Sequence, residues 1–541
     1  MNEVVATAAS QTNFSRLDWG IVAAYLAISL VIGLLVKRYA TNMTAYIAAG
    51  QSVGVWLGVA TMTGTELGLV TVMYSAEKGF KGGFAAFHIA VLAGIVTFFV
   101  GVTGFIVAPL RELGVLTIPE YYERRYDRKT RVLGGIILAA GGIMNMGLFL
   151  KVGSMFIVGV TGLSQHGWAL PVVMTALLVL VLVYTVLGGM ISVIVTDYIQ
   201  FVVLAFGLLL ATGLAIAELG WNNIFATVQA TMGEGGFNPF VSESAFGVEY
   251  VLWMAFLGLV GCALWPTAVA RALAMESTDA VKRQFRWSSV SFVIRFLIPY
   301  FWGICALVYF VTREPELATA FGVGGEPLPE GVEPGNVLYA MPLFVGRLLP
   351  IGLIGIVSAA MIAAFMSTHD SYLLCWSSVI VQDVIAPLSK KKIDARTRVR
   401  WTRILIVLIG IYIWGWGMFY DGKDDVWDYM AITGAIYFIG AFALLGGGLY
   451  WKRASSTGAF WALLAGCSAV LGLSPIRIPL GEGLLGLMGR DVSEEAAGAL
   501  LSSERVELAS VAFTMSVFVL LSLLFPDGES TEGTAKEEAA Q

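Results

Sequence analysis

A run of polar side chains interrupts an otherwise apolar stretch between residues 348 and 384. Every side chain from Ser367 to Ser371 is polar. Hard cations such as Na⁺ bind several oxygen atoms, which adjacent hydroxyls and the free carbonyls of a broken neighbouring helix can supply. Alternatively, Ser367 and Thr368 bond to carbonyls of their own helix. The length of the polar run favours a cation site.

Two other apolar stretches are interrupted by small residues. Stretch 51–79 contains the segment Thr61–Gly68, and stretch 248–275 contains Gly258, Gly261 and Pro266. Glycine and proline are common in transmembrane helices, so either interruption alone says little. The two lie five apolar stretches apart, as the second and the seventh, and transporters with inverted repeats bind solutes and ions where corresponding helices are broken. The pair therefore predicts a binding site between two broken helices.

Glu66 places a carboxylate inside the first of these interrupted stretches. Ionisable groups at membrane depth are expensive, so this one is expected to be functional. Three roles are open: it holds an amine of a solute, it binds a proton, or it pairs with Lys151. For Lys151 and Arg295, snorkelling or structural pairing is the ordinary interpretation.

The composition of the chain predicts that these residues lie in a membrane. The 541 residues are 57% hydrophobic and 13% charged, with a mean hydropathy of +0.80, whereas soluble domains are about 25% charged. Apolar runs of about 20 residues predict transmembrane helices. There are thirteen such runs, at residues 18–37, 51–79, 84–109, 131–162, 167–187, 189–217, 248–275, 286–311, 348–384, 400–420, 427–450, 456–474 and 507–525.

The distribution of basic residues predicts the topology. Lysine and arginine concentrate in the loops after odd-numbered helices, with five at positions 124–131 and six at positions 390–400. Because cytoplasmic loops carry the excess of basic residues, we expect an outside N-terminus and a cytoplasmic C-terminus in the plasma membrane. We expect residues 1–17 to form the extracellular N-terminus, residues 18–525 a single transmembrane domain, and residues 526–541 a disordered cytoplasmic tail.

Composition also argues against several classes of function. The net charge is −5 and no long basic tract is present, so nucleic acid is not an expected partner. A haem-bearing or redox enzyme needs paired intramembrane histidines, but only His88 and His369 lie in apolar runs. The four cysteines are scattered singly, which predicts buried thiols and no disulfide. We expect that the protein is not an enzyme.

The motifs resemble those of one known family. Four groups of residues follow one another in the family's order: Thr117–Tyr121 with Arg124–Tyr126; Gly188–Met190 with Thr196–Gln200; Pro266 with Val269 and Arg271; and Pro350, Gly352 and Gly355 with Ala363–Ser371. They are similar to the sodium/solute symporters, which include the proline, sialic acid, galactose and glucose sodium symporters. The resemblance covers about residues 18–475.

This resemblance implies an all-α, LeuT-type fold with two inverted five-helix repeats. Helices two to six, at about residues 51–217, form one repeat, and helices seven to eleven, at about 248–450, form the other. The implied activity is sodium-coupled symport by alternating access. The expected solute is small, polar and organic: an amino acid, a sugar or a carboxylate. The other expected partner is the lipid bilayer, and the protein is expected to be a monomer or a weak oligomer.

The resemblance also implies two sodium sites. The family's first site would use the hydroxyls of Ser367 and Thr368, the carbonyl of Ala364, and carbonyls near Gly58 and Thr61. Some members of the family bind a second sodium between helices six and nine. The matching positions are Asp197, Asp370 and Ser371, together with Thr368. Asp370 replaces a hydroxyl found in the best-described member with this site, and Asp197 is alternatively part of the inner exit path.

The family's solute lies among the broken helices two and seven and the faces of helices four and eleven. The residues expected to contact it are Thr63, Thr65, Glu66, Asn145, Trp265 and Tyr437. A different class of function uses the same core, because cores of this kind also occur in solute-sensing receptors. In that case a separate signalling partner would be required.

Overall fold

A computed structural model describes residues 11–36, 51–323, 335–420 and 425–527. Within these ranges, nothing is stated for the side chains of residues 30, 32–36, 65, 184 and 187–201. Most of the predicted N-terminal segment 1–17 and of the predicted tail 526–541 therefore lies outside the described residues, as do the side chains of Thr65 and Asp197.

The described part of the chain is built from helices. The α-helices are Arg16–Val36, Val55–Glu66, Leu69–Gly82, Phe87–Thr103, Val107–Glu112, Ile118–Arg125, Arg128–Asn145, Phe149–Val160, Ala169–Leu219, Trp221–Met232, Val248–Leu264, Pro266–Ala274, Thr278–Arg313, Pro315–Ala320, Ala340–Leu348, Leu353–Val379, Ala386–Leu388, Ala395–Phe419, Val426–Tyr450, Ser456–Gly466, Ser474–Leu487, Glu494–Leu500 and Ser503–Leu524. A π-helical turn, Ile380–Ile385, extends the helix Leu353–Val379. The all-α prediction is confirmed.

Nine helical spans in the described ranges are long and apolar enough to cross a bilayer. A tenth is added if Ser456–Gly472 and Ser474–Leu487, which meet at a bend of 81°, form one span. The predicted helices 167–187 and 189–217 are joined into the helix Ala169–Leu219, because Gly188 and Gly189 do not interrupt the helical backbone. The predicted total of thirteen spans stays a prediction.

Polar caps define where several helices begin. The side chains of Asp127, Ser277, Asp394 and Ser455 each accept a hydrogen bond from a backbone N–H in the first turn of the helix that follows. These bonds satisfy donors that a helix cannot satisfy internally. The sequence thus determines these helix starts locally, at the ends of the apolar runs.

Glycines let the helix Leu69–Gly82 pack closely against the helix Thr278–Arg313. A Cβ atom at Gly79 would collide with the carbonyl of Tyr300, and one at Gly303 would collide with the carbonyl of Ala76. Small residues at such crossings allow close backbone approach, a common device in membrane helices. The helix Leu69–Gly82, which follows the first interruption, is therefore held against the helix Thr278–Arg313.

The first described segment of the chain is attached to the residues around the start of the helix Leu353–Val379. The buried carboxylate of Asp18 accepts hydrogen bonds from the backbone N–H groups of Gly352 and Gly355, each at 2.8 Å. The side chain of Asn13 donates to the carbonyl of Arg347 at 2.7 Å. The helix Arg16–Val36 is therefore anchored at the N-terminus of the helix Leu353–Val379, where a carboxylate is electrostatically favourable.

Two clusters of charged residues join helices that are far apart in sequence. In the Lys78 cluster, Lys78 lies 3.0 Å from Asp425 and 2.8 Å from Asp428, and Lys81 bonds to Glu77 and Asp425. Burial favours the protonated form of Asp425, but the two lysines outweigh it and hold the pKa of this loop carboxyl below its ordinary value. The cluster therefore ties the helix Leu69–Gly82 to the start of the helix Val426–Tyr450.

The second group is the Arg131 cluster. Arg131 lies 2.9 Å from the fully buried Asp383 and also bonds to Glu123. Thr117 donates to the same carboxylate of Asp383 at 2.8 Å. This cluster connects the helix Arg128–Asn145 to the π-helical turn after Leu353–Val379.

Candidate functional site

The first predicted interruption is a true break in a helix. The helix Val55–Glu66 ends at Glu66, Leu67 leaves the helical region with φ −94° and ψ 65°, and the extended Gly68 precedes the helix Leu69–Gly82. The two helices together are called the first broken helix below. Backbone groups at such a break lack some of their helical partners and are available to a ligand.

The second interruption is also a break. The helix Val248–Leu264 ends before Trp265, whose φ of −65° and ψ of 122° are extended, and Pro266 begins the helix Pro266–Ala274. Proline fits the first position of a helix because it has no N–H group to satisfy there. These two helices form the second broken helix. The prediction of interruptions at both places is confirmed.

The helix Leu353–Val379, called the central helix below, carries the polar run. The hydroxyl of Ser367 donates to the carbonyl of Gly64 at 3.0 Å and to that of Ala364 at 3.2 Å, and the hydroxyl of Thr368 donates to Ala364 at 3.0 Å. All four groups are buried. Oxygen atoms of two hydroxyls and two carbonyls therefore gather where the central helix meets the first broken helix.

Gly68 determines how closely the break approaches this group. A Cβ atom at Gly68 would collide with the hydroxyl of Thr368 and would also contact its Cβ and Cγ2 atoms. The extended backbone at Gly68 therefore lies directly against Thr368. No other residue fits here without displacing that side chain.

The predicted sodium ligands on the first broken helix are distributed over two turns. The carbonyl of Gly58 accepts a hydrogen bond from the side chain of Gln284 at 2.9 Å. Thr61 is buried one turn before Gly64. The carbonyl that the structure brings to Ser367 belongs to Gly64, which lies on the same interrupted segment but was absent from the predicted set.

The candidate second sodium site includes a cationic side chain. Asp370 is fully buried and accepts a hydrogen bond from Ser371 at 3.1 Å. Ser371 in turn accepts from the guanidinium of Arg271, on the second broken helix, at 2.6 Å. The side chain of Asp197 lies outside the described part of the chain, so the second sodium site stays a prediction.

A cavity of about 130 Å³ lies between the two breaks, and we call it the main cavity. It is lined by both broken helices, the central helix, and helices that begin at Phe87, Arg128, Phe149, Thr278 and Val426. Most of its wall is apolar or aromatic. The polar side chains in its wall are those of Glu66, Thr71, Tyr74, Thr97, Asn145, Arg295, Thr368 and Tyr372.

Glu66 is held by two partners from other helices. The hydroxyl of Thr267 donates to Glu66 Oε1 at 2.8 Å, and Arg295 Nη1 lies 3.4 Å from Oε2. Arg295 also donates to the backbone carbonyl of Glu66 at 2.8 Å. Lys151, the partner considered from the sequence, donates to the carbonyl of Tyr420 at 2.8 Å. Arg295 and Thr267 thus stabilise the carboxylate in the wall of the main cavity.

Asn145 and Trp265, both expected to contact solute, also line the main cavity. Asn145 Nδ2 donates to the carbonyl of Met430 at 2.7 Å. The Oδ1 atom of the same side chain is buried and has no hydrogen-bond partner among the described residues. Trp265 Nε1 donates to the hydroxyl of Tyr372 at 2.7 Å. The indole therefore fixes the second break against the central helix.

Two of the predicted solute residues lie apart from this wall. The hydroxyl of Thr63 donates to the carbonyl of Val59 and is hydrogen-bonded to Ser291, both at 2.8 Å. The hydroxyl of Tyr437 lies 3.4 Å from that of Tyr122. Both side chains are thus engaged in helix contacts, and the side chain of Thr65 lies outside the described part.

The architecture, in which a cavity lies between two broken helices and a group of oxygen atoms lies at the first break, is typical of a class of membrane transporters. A family model described as the sodium:solute symporter family matches residues 46–466. The chain belongs to this family, and it is a sodium-coupled symporter. The resemblance inferred from the motifs is confirmed, and symport is favoured over a sensing receptor.

Relatives along most of the chain agree with this assignment. The sodium/glucose cotransporter of Vibrio parahaemolyticus is 25% identical over 87% of this chain and 88% of its own length. The sodium/sialic acid symporter SiaT of Proteus mirabilis is 23% identical over 85% of this chain and 90% of its own length. These identities are too low to transfer a solute.

Solved structures show the same fold. A Na⁺-coupled sialic acid symporter in a substrate-bound, outward-open state has a TM-score of 0.74 at 21% identity, covering 95% of this chain and 99% of its own. Mhp1, a transporter of the nucleobase-cation-symport-1 family, has a TM-score of 0.52 at 13% identity, covering 91% and 98%. The LeuT-type fold predicted from the resemblance is confirmed.

Proposed function

We propose that the main cavity binds a small polar organic solute and that Na⁺ binds beside it, at the hydroxyls of Ser367 and Thr368 with the carbonyls of Ala364 and Gly64. Alternating access of this shared site to the two sides of the membrane then couples uptake of the solute to entry of Na⁺. Na⁺ is a transported ion here, so its site must release it as readily as it binds it.

The observation that carries this proposal is the convergence of four oxygens at the first break. Neutral hydroxyl and carbonyl oxygens are ligands that a hard cation accepts, and none of the four is a carboxylate. In the structure the two hydroxyls donate to the two carbonyls. When Na⁺ binds, the two hydroxyl hydrogens would turn away, and all four oxygen atoms would face the ion.

Thr368 provides a physical link between the two ligands. Its hydroxyl belongs to the oxygen group and its side chain also lines the main cavity. A Na⁺ ion bound to this hydroxyl would hold the Thr368 side chain in one position. Gly68 and the cavity wall, which pack against Thr368, would then be held in place as well. Coupling between two sites is reciprocal in binding free energy, at about 1–3 kcal/mol, so solute and Na⁺ should each strengthen the binding of the other.

The test is the thermal stability of purified Ser367→Ala and Thr368→Ala across a titration of Na⁺, with K⁺ replacing it at constant ionic strength. We expect Na⁺ to raise the unfolding temperature of the parent and each variant to need about tenfold more Na⁺ for half of that rise. Ser377→Ala is the matched control, because Ser377 is buried on the same helix and donates to Leu373 at 2.6 Å.

The outcomes separate a cation site from a structural role. If both variants lose overall stability but keep the parent's Na⁺ dependence, the hydroxyls only bond their own helix and the site assignment is wrong. If Ser377→Ala shifts the Na⁺ titration as far as the other two, the effect belongs to the helix as a whole.

A further inference from the structure

We propose that the solute carries a carboxylate group and that Arg295 binds it in the main cavity, with Glu66 as the residue that positions Arg295. This inference rests on the proposed function of the main cavity. It names the class of solute, which the sodium site alone leaves open.

The guanidinium of Arg295 is fixed along one of its edges. Nη1 donates to the backbone carbonyl of Glu66 at 2.8 Å and lies 3.4 Å from its carboxylate. The guanidinium carbon stands 3.8 Å from the ring centre of Phe292 and 4.5 Å from that of Phe296. Cation–π contacts of this kind hold the group without using its hydrogen-bond donors. Arg295 is therefore oriented before a solute arrives.

The other edge of the guanidinium carries Nε, a donor without a hydrogen-bond partner among the described residues. Arg295 is 8% exposed, and its Nε atom is buried. A buried donor left unsatisfied is costly, which makes this atom a place where a ligand gains binding energy. The Nε and Nη2 donors of arginine match the two oxygens of a carboxylate in a bidentate geometry.

Glu66 is a poor site for an amine of the solute. Oε1 already accepts from Thr267 and Oε2 faces Arg295. The carboxylate instead holds Nη1 in place and balances the charge of Arg295 when the cavity is empty. An amine of the solute would have to share oxygens that already accept from Thr267 and Arg295, and whose charge Arg295 already balances.

The balance of charge in the loaded site favours an anionic group. Glu66 and Arg295 cancel one another, and the four sodium ligands are neutral, so a bound Na⁺ leaves one net positive charge beside the cavity. A carboxylate neutralises that charge, a sugar leaves it, and a cation doubles it. Uncompensated charge is expensive at membrane depth, so the carboxylate gives the most favourable loaded state.

Asn145 indicates a second feature of the solute. Its Oδ1 atom is a buried acceptor without a partner in the described ranges, and the residue lines the same cavity, among aromatic side chains such as Trp265. An O–H or N–H group of the solute would satisfy it. Small hydroxy-carboxylates combine the two features. Amino-carboxylates also supply both groups, but their ammonium charge leaves the positive charge of Na⁺ unbalanced.

The experiment measures the unfolding temperature of the purified protein, in Na⁺ and in K⁺, with pairs of probes that differ only at the carboxylate. The pairs are L-lactate and L-lactamide, L-alanine and L-alaninamide, L-proline and L-prolinamide, and D-gluconate and D-gluconamide. We expect at least one carboxylate to stabilise the protein in Na⁺ while its uncharged or amidated counterpart does not. Arg295→Gln should weaken that effect by about 30-fold or more in half-saturating concentration.

Further variants separate recognition from folding. Arg295→Lys keeps the charge but loses the bidentate geometry, so it should retain part of the preference for the carboxylate. Glu66→Gln removes the carboxylate contact with Nη1 but keeps the backbone carbonyl contact, so it should weaken the preference for the carboxylate by less than Arg295→Gln does. Arg283→Gln, an exposed arginine on the same helix with a surface partner in Asp279, should have no effect.

Each outcome is decisive. A panel in which no carboxylate stabilises the protein more than its counterpart overturns the inference. If the uncharged probes stabilise it in Na⁺ but not in K⁺, the proposed symport site stands and only the carboxylate class fails. If stabilisation by every probe is the same in Na⁺ and K⁺, the proposed coupling itself fails. If Glu66→Gln abolishes stabilisation by the amine-bearing probes and by no others, Glu66 contacts the amine of the solute directly and is not a positioning residue.

Discussion

The two broken helices meet the same face of the central helix with opposite chemistry. At the first break, the backbone of Gly68 packs directly against the side chain of Thr368, because glycine has no Cβ atom. At the second break, the bulky Trp265 places its indole N–H on the hydroxyl of Tyr372. Thr368 and Tyr372 are four residues apart, so they are neighbours on one helix face.

This difference shows how one helix face can serve two ligands. The first break supplies backbone oxygens, because a glycine exposes its main chain at close range. The second break supplies a wall of the cavity, because an indole fills space and uses its single donor on the protein. We therefore expect changes at the first break to alter the response to Na⁺, and changes at the second break to alter the solute cavity.

The largest effect is expected for Gly68→Ala. Its Cβ atom would collide with the hydroxyl of Thr368, and overpacking of this kind costs about 1–3 kcal/mol. The Na⁺ concentration for half-maximal thermal stabilisation should also rise by about tenfold or more, since the ligands are forced apart.

Gly54→Ala is the control for this change, because a Cβ atom at Gly54, next to the start of the same broken helix, meets open space. The double variant Gly68→Ala, Thr368→Ala removes the colliding hydroxyl and should recover part of the stability but not the Na⁺ response. Normal Na⁺ dependence in Gly68→Ala alone would contradict a sodium site at the first break.

Trp265→Phe is expected to have an intermediate effect, at the second break. It leaves the hydroxyl of Tyr372 without its donor and costs about 1–3 kcal/mol in unfolding free energy. Because Tyr372 is buried, Trp265→Phe combined with Tyr372→Phe should recover much of that loss. Thermal unfolding with a Na⁺ titration measures both quantities, and a shift in the Na⁺ titration as large as that of Gly68→Ala would erase the distinction between the two breaks.

Thr267→Val tests the hydrogen bond that joins the two breaks. Thr267 follows the second break and donates to Glu66 at the end of the first, so the substitution removes a bond to a charged group worth about 1.5–3 kcal/mol. Arg295 stays paired with Glu66, which should limit the measured loss to the lower end of that range. Thr267→Ser, which keeps the hydroxyl, should behave like the parent in the same thermal unfolding measurement.

The smallest effect is expected for Pro266→Ala. Pro266 occupies the first position of its helix, where a backbone N–H has no helical partner in any case, and Trp265 already sets the extended backbone before it. We expect a loss below about 1 kcal/mol in thermal unfolding. A loss as large as that of Gly68→Ala would mean that proline itself maintains the second break.

The sequence predicted the two breaks and the polar run on the central helix because each depends on a few consecutive residues. Gly64 was missed as a contributor of a carbonyl, since any residue can supply one and only the path of the backbone selects it. Tyr437 was expected at the solute but lies beside Tyr122, because its position on a helix face depends on how two distant helices pack.

Composition, the apolar runs and the motifs determined by themselves that the chain is a helical membrane protein of this family, and the polar run predicted a cation site at Ser367 and Thr368. These are properties of local segments, and hydrophobic burial in a bilayer acts on each segment in turn. Only the tertiary structure assigned Arg295, and not Lys151, to Glu66. The two residues are 229 positions apart, and their pairing depends on the close packing of one broken helix against a long neighbour, which no local pattern encodes.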